Sequence, residues 1–526
     1  MKKKVESIVI VGGGSAGWMT ASFLCKLHPD LKITVVESPN VPTIGVGEST
    51  IGSINHFLGA LDLKDEDWMP HCNAAYKLAI QFTDFRDKGT TFYYPFGMKD
   101  TENTGAGVTD WYLNRVTNPD SLEFSESFYS VMPFCYNNKM MEGDIKNFSF
   151  RNDSAYQLDA ILFAKFLKEK YALPRGVELI QKHVKTVSLD EDGYIDYIQT
   201  DDDTKIYADL FVDCSGFKSM LLEKTLGVKH QSFESLLLNN KAWAAQVPYT
   251  DKEKELGVVT NCTALGNGWV WYTPLYSRIG TGYVFSDKFT SEEEALQEYK
   301  DFLDSDKMPV HNPGRSKDLT FRLIDVRNGT HEKCWHKNCI AIGLSWGFIE
   351  PLESSGLMFV QEAIVTLSQT LSLGNGVISK IHIDNANFYM NSIMNSFKIF
   401  VAYHFTLSQR RDTKYWRYVT EETDMFAHDD FGTVGGYAGR ILHSHQIESN
   451  ENGIPDILAG MQTYPSNKTQ MVMVKSVLKG RGINNQGLVD PMTLKYWEQK
   501  YKFFTNLASK AQSHNQVLKK NIYKGK

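Results

Sequence analysis

Six residues near the N-terminus, Gly12-Gly13-Gly14-Ser15-Ala16-Gly17, have the types and spacing to hold a pyrophosphate. Val5 to Val11 reads as a buried strand running into them, and Trp18 to Leu27 as the helix that follows. In such a strand–turn–helix unit, glycines let the backbone approach the ligand, and the helix N-terminal amides face its negative charge. A second strand, Lys32 to Val36, ends on Glu37, where a ribose hydroxyl needs an acceptor. The glycine pattern alone is a weak signal. In this setting, with Glu37 in place, it specifies an adenine dinucleotide. The contacts expected are Gly12, Gly14, Ser15, Ala16, Gly17 and Glu37.

Three further turns extend the site. The loop Pro42 to Thr50 carries Gly45, Gly47, Glu48 and Ser49. Leu210 to Gly216 is a buried strand ending in a glycine turn at Asp213. Cys339 to Gly343 repeats that pattern. Only one dinucleotide fingerprint is present, whereas an NAD(P)H-using flavoenzyme often shows two. This fits a large body wrapped around FAD better than a bare NAD unit. Downstream, Ser354-Ser355-Gly356 opens an apolar helix, Leu357 to Leu371, whose N-terminal amides and dipole suit a small anion.

Other candidates are less specific one at a time. Ala75 to Phe85 alternates as a strand covered unequally on its two faces, with Tyr76, Leu78, Ile80 and Phe82 on one side and Lys77, Ala79, Gln81 and Thr83 on the other. A lone lysine there is ordinarily solvent-facing, and Glu353 alone reads as a helix N-terminal charge. Trp269 and Trp271 alternate with Val270 on a strand, Gly268 to Pro274, that pairs with Gly282 to Ser286; by pattern both face one side and belong to the core. Aromatics crowd Phe92-Tyr93-Tyr94-Pro95-Phe96.

The elements that must position these groups form an α/β fold: an FAD-binding, Rossmann-like and monooxygenase-like body with a mixed β-sheet, residues 1–382, and a mainly helical C-terminal portion, 383–526. Leu158 to Tyr171 and Asn385 to Arg411 read as helices, Glu448 to Gly453 as a flexible loop, and the lysine-rich end as a frayed, solvated tail. With 526 residues, 42% apolar and 22% charged, the chain has the composition of a soluble globular enzyme. Its net charge of −6 gives no reason to expect nucleic acid as a partner. No signal peptide and no membrane span are read, so the expected location is cytoplasmic. Seven scattered cysteines suit reduced core thiols. Cys334, Cys339, His331 and His336 match no zinc spacing, and no metal is expected. The pair His443 and His445 is read as structural.

Taken together, Gly12 to Ala16, Gly45-Val46-Gly47-Glu48, Ala75-Tyr76-Lys77, Asp213-Cys214-Ser215-Gly216, Trp269-Val270-Trp271-Tyr272-Thr273-Pro274 and Glu350-Pro351-Leu352-Glu353-Ser354 resemble the flavin-dependent tryptophan halogenase family. The ordered matches run to about residue 420, through His404 and Arg411-Asp412-Thr413, and Thr273 stands where the family usually has isoleucine. The resemblance implies that reduced FAD, oxygen and a halide ion generate hypohalous acid. The acid passes along a tunnel walled by Trp269 and Trp271 to a lysine, Lys77, beside an aromatic substrate. It further implies that Glu353 acts near the substrate, that the amides of Ser355 and Gly356 hold the halide, that Tyr94, Phe96 and Ser354 contact substrate, and that a separate NAD(P)H flavin reductase supplies reduced FAD. The residue types agree with this in part. An ammonium can donate a hydrogen bond to hypohalous acid or form a haloamine, and a carboxylate can take the proton lost from the ring.

The resemblance weakens towards the C-terminus. Beyond about residue 420 the residues that grip the free amino acid in tryptophan-specific members find no match, although Ala459-Gly460-Met461 resembles a late family segment. Tyr94 replaces a histidine that helps hold the indole, while Phe96 is kept. An indole- or phenol-type ring is therefore expected rather than free tryptophan. The competing readings are an FAD-dependent aromatic hydroxylase, which needs neither Lys77 nor halide, and a non-catalytic flavin-binding protein, which needs neither Lys77 nor Glu353.

Overall fold

The β-branched runs at 7–11, 32–37 and 210–213 form the centre of a six-stranded sheet in the computed structural model, which describes residues 4–40, 47–100, 111–112, 114–115, 118–428, 453–463 and 491–525. Its strand order is Glu178–Gln181, Lys32–Glu37, Ser7–Val11, Leu210–Asp213, Cys339–Ala341, Trp335–His336; all neighbours are parallel except the last pair. Gly12, Glu37, the Asp213 turn and Gly343 thus fall at the carboxyl ends of neighbouring parallel strands, where open α/β sheets bind ligands. The first helix is Ser15–Leu27.

A seven-stranded sheet, ordered Arg322–Asp325, Lys241–Val247, Ile279–Phe285, Gly268–Pro274, Val259–Ala264, Ala79–Thr83, Thr91–Pro95, covers the far side of the site. The expected pairing of the tryptophan strand holds in antiparallel register, Trp269 against Val284 and Trp271 against Gly282. The single strand expected over 75–85 is instead two. Ala75–Lys77 pairs with Ala155–Leu158, and Ala79–Thr83 joins the seven-stranded sheet. At the crossing, the Leu78 amide donates to the Val258 carbonyl at 2.7 Å and the Leu78 carbonyl accepts from the Phe96 amide at 2.9 Å. Both faces are covered here, and Lys77 is 0% exposed.

The expected helix at 158–171 is an α-helix, Ala160–Phe166, continued by a π-helical stretch, Leu167–Ala172. The helix after Ser355 spans Gly356–Leu373, and the long helix is Lys380–Thr406, so the boundary placed near 382 falls inside it. One hydrophobic core runs from Val5 to Tyr523 and joins the two portions. The chain's end is not frayed: His514–Asn521 is helical, and the buried Tyr523 donates to the Met69 and Ala74 carbonyls at 3.0 and 2.8 Å. Lys519, Lys520 and Lys524 face outward, but Val517, Leu518 and Tyr523 are buried and anchor the segment. His514 Nε2 accepts the Tyr76 amide at 3.1 Å, so the C-terminal helix braces the strand that carries Lys77.

Among the described residues no helix is long and apolar enough to cross a membrane, and no group of three or more His, Cys, Asp or Glu side chains is arranged to hold a metal ion. The expectations for Gly45, for His443 and His445, and for residues 448–452 lie outside the described residues.

Candidate active site

The carboxyl ends of the parallel strands open into a cavity of about 810 Å³ lined by Gly12 to Ala16, Glu37, Gly47 to Ser49 and Gly343. The glycines serve different purposes. Gly12 has φ +122°, and a Cβ there would lie 2.2 Å from the Cys214 carbonyl oxygen; a Cβ on Gly17 would lie 1.9 Å from the Gly12 carbonyl oxygen. Both are demanded by packing, and Gly17 sits behind the cavity wall. A Cβ on Gly14 would meet nothing within 4 Å. That open cradle at the N-terminus of an α-helix fits the pyrophosphate of FAD. Gly343, at φ +81°, presses against Ala16, whose Cβ would be 3.0 Å from an added Cβ.

Glu37 lines the cavity, with Trp18 Nε1 and Gln181 Nε2 donating to it at 3.1 Å each and Lys168 paired to it. Ser15 Oγ donates to the Ala160 carbonyl at 3.1 Å, and Ser49 Oγ lies 2.7 Å from Thr260 Oγ1. The Glu48 carboxyl is pushed up to about 7, first by burial and then by the charge of Asp159. Asp213 departs from expectation. It is fully buried and does not line the cavity; its carboxylate accepts from the Ser215, Leu221 and Leu222 amides at 3.0, 2.7 and 2.9 Å and from Ser215 Oγ at 2.6 Å. Its hydrogen-bonding capacity is spent shaping the turn, whose Cys214, Ser215 and Gly216 do face the cavity. Replacing Gly14 with leucine is expected to weaken FAD binding severely while leaving the fold intact, because its φ of −81° suits any residue and the added atoms project only into the cradle. Flavin-fluorescence titration beside a circular-dichroism melt checks this.

On the opposite wall stand Trp271, Ser354 and Gly356. Gly356 opens its 18-residue helix, and a Cβ there would again meet nothing within 4 Å. Ser354, in left-handed backbone at φ +57°, bends the chain into that helix. Its Oγ accepts from Lys77 Nζ at 2.9 Å, and the Thr50 carbonyl accepts from the same nitrogen at 2.9 Å. Nζ also lies 5.1 Å from the centre of the Phe96 ring. Burial lowers Lys77 to about 7, an effect that the nearby Cys262 and Glu353 only partly oppose. The amine and the ammonium are therefore both populated near neutrality.

Glu353 is 2% exposed, and its Oε1 lies 2.8 Å from His404 Nε2 of the long helix. Its Oε2 has no hydrogen-bond partner. Burial raises the Glu353 carboxyl, His404 and Lys77 oppose the rise, and Asp456 adds to it. Around this pair stand aromatic rings: Phe96 lies 6.4 Å and Phe400 6.2 Å from Tyr94, and Phe82 is 4.7 Å from His404. Trp269 is fully buried, and its ring centre is 6.3 Å from that of Trp271, so the tryptophan pair spans from the cavity wall inward. Sequence reasoning gave no role to Glu350, Asp456 or Cys262. Glu350 entered only as the first residue of the matched Glu350-Pro351-Leu352-Glu353-Ser354 segment and Asp456 not at all, and only the packing buries them here.

A dinucleotide cavity on one side of Ser354, and a buried lysine and glutamate among aromatic rings on the other, define a flavin-dependent enzyme of the halogenase class. The chain belongs to the tryptophan halogenase family, whose model matches residues 7–476. It is 36% identical over 435 residues to the tryptophan 6-halogenase SttH of Streptomyces toxytricini, covering 78% of this chain and 80% of the relative. The solved apo structure of VirX1 superposes with a TM-score of 0.92 at 38% identity, covering 99% of this chain and 100% of that one. BrvH, a flavin-dependent halogenase from Brevundimonas sp. BAL3, superposes at 0.81 with 29% identity over 98% of this chain and 99% of its own.

Proposed function

We propose that this enzyme halogenates an electron-rich aromatic ring of indole or phenol type through Lys77. Reduced FAD, when bound, supplies with oxygen the oxidising power that converts a halide to hypohalous acid. The Ser355 and Gly356 amides at the helix N-terminus hold the halide at the cavity wall. Lys77 receives the hypohalous acid, by hydrogen bond or as a haloamine, and presents its halogen to the ring. The ring carbon gains halogen and loses a proton to Glu353, and the oxygen leaves as water. The observation that carries this reading is the placement of Lys77. Its buried nitrogen touches Ser354 on the cavity wall and faces Phe96 on the substrate side.

The deciding experiment is mass spectrometry of an aromatic panel incubated with reduced FAD, oxygen and chloride, bromide or iodide. Halogenated product is expected, with indole converted faster than tryptophan. Tryptophan carries an ammonium and a carboxylate that need partners once desolvated. Asp456, buried nearby, is already paired with Lys99 at 3.3 Å. A clear preference for tryptophan, with one regioisomer, defeats the substrate assignment. Hydroxylated products without halide requirement defeat the reaction.

A separate NAD(P)H flavin reductase supplies reduced FAD in this proposal, since the sequence holds one dinucleotide fingerprint. Stopped-flow mixing of the FAD-loaded protein with NADH is expected to show negligible flavin bleaching until a reductase is added. Fast bleaching by NADH alone favours the hydroxylase reading.

A further inference from the structure

Glu350 takes part in none of these steps, yet it is fully buried beside them, between the cavity-lining Ile349 and Pro351. Its Oε2 accepts from Trp269 Nε1 at 2.6 Å and from Asn239 Nδ2 at 2.7 Å. Its amide donates to Asn328 Oδ1 at 2.8 Å, and Asn328 Nδ2 donates to the Asn239 carbonyl at 2.7 Å. Glu350, Trp269, Asn239 and Asn328 are each 0% exposed. Both bonds go to Oε2, Oε1 has no partner, and removing the side chain would strand two buried donors. The network has a direction. At one end, Trp269 stands beside Trp271, whose ring lines the cofactor cavity. At the other, the chain passes from Glu350 through one 3-10 turn to Glu353, Ser354 and Ser355.

We propose that Glu350 is a positioning residue. It clamps the Trp269 indole behind Trp271 of the cavity wall and registers that wall against the segment bearing Glu353 and Ser354. Hypohalous acid then reaches Lys77 instead of escaping. The inference rests on the halogen transfer proposed above. Without its acceptor the indole loses the bond that fixes its orientation beside Trp271.

The test is a coupling ratio: halogenated indole formed per oxygen consumed, with reduced FAD and bromide, in the presence of a cyclic 1,3-diketone that traps hypohalous acid in bulk solution. Glu350→Leu is expected to lower the ratio about fivefold, on the scale of the one buried hydrogen bond to the Trp269 indole, with a matching rise in brominated diketone. Glu350→Gln, whose amide oxygen can still accept from Trp269, is expected to restore most of the coupling. Trp269→Phe is expected to leak like Glu350→Leu, and the double variant no more than either, because both changes break the same Trp269–Glu350 bond. A purely structural role would lower the yield of folded protein without moving the ratio. An unchanged ratio in folded Glu350→Leu overturns the inference. If that variant does not fold, an unchanged ratio in Trp269→Phe does so. Failure of the underlying reading looks different, because the parent enzyme then brominates neither indole nor diketone.

Discussion

Lys77→Ala is expected to abolish halogenated product while oxygen still oxidises the bound reduced flavin. The two effects separate because Lys77 touches the cofactor cavity only through Ser354 and is absent from its lining. A lysine needed merely for folding would fail differently. Its loss would weaken FAD binding and thermal stability together with halogenation. Burial has displaced Lys77 to about 7, so the folded state bears the cost of a desolvated ammonium below that pH. The sign follows: between about 7 and its ordinary value the unfolded chain binds more protons at this site, so the contribution of Lys77 to stability rises with pH across that window. Alanine removes the penalty, and the variant is expected to be at least as stable as the parent near pH 7. Anaerobic flavin reduction followed by oxygen mixing, with product analysis by mass spectrometry, checks both halves. Halogenation surviving in Lys77→Ala would refute the delivery role.

Glu353→Gln is expected to slow halogenation by ~10²-fold or more, the range that a positioned general base contributes. Glutamine keeps the volume beside His404 and the aromatic rings but cannot take the ring proton. The buried carboxyl is raised above the ordinary carboxylate range. It must be ionised to act as base, so the single-turnover rate in the parent is expected to climb from the acid side as pH rises through its folded value. In Glu353→Gln that acid limb should disappear while flavin oxidation is retained. A parent-like rate and an unaltered acid limb in Glu353→Gln would assign the proton to another group.

How much of this was legible beforehand depended on whether the signal was local. The glycine turn, Glu37 at its distance and the apolar helix after Gly356 are short-range patterns, and each folds as its own residues dictate. Helix ends moved by a few residues, Ser15–Leu27 against an expected start at Trp18 and Lys380–Thr406 against 385–411, because capping and packing decide where a periodic run stops. Asp213 differs from its expected place for a related reason. Its place at the end of a parallel strand suggested a ligand contact, but the amides of its own turn occupy the carboxylate.

By itself, then, the sequence determined the strand–glycine–helix unit, the α/β class and the family's contiguous motifs, since these need nothing distant in the chain. It could not determine the state of Lys77. An alternating strand with one lysine reads as half-solvated, and only the tertiary structure breaks that strand at Leu78, seals Lys77 against Ser354 and Phe96, and braces it with His514 from the far end of the chain. The buried pair of Glu353 with His404 and the bond from Trp269 to Glu350 are likewise decided at long range. Burial, hydrogen-bond satisfaction and displaced proton affinities depend on which surfaces the folded chain removes from water, and no window of sequence contains both sides of such a contact.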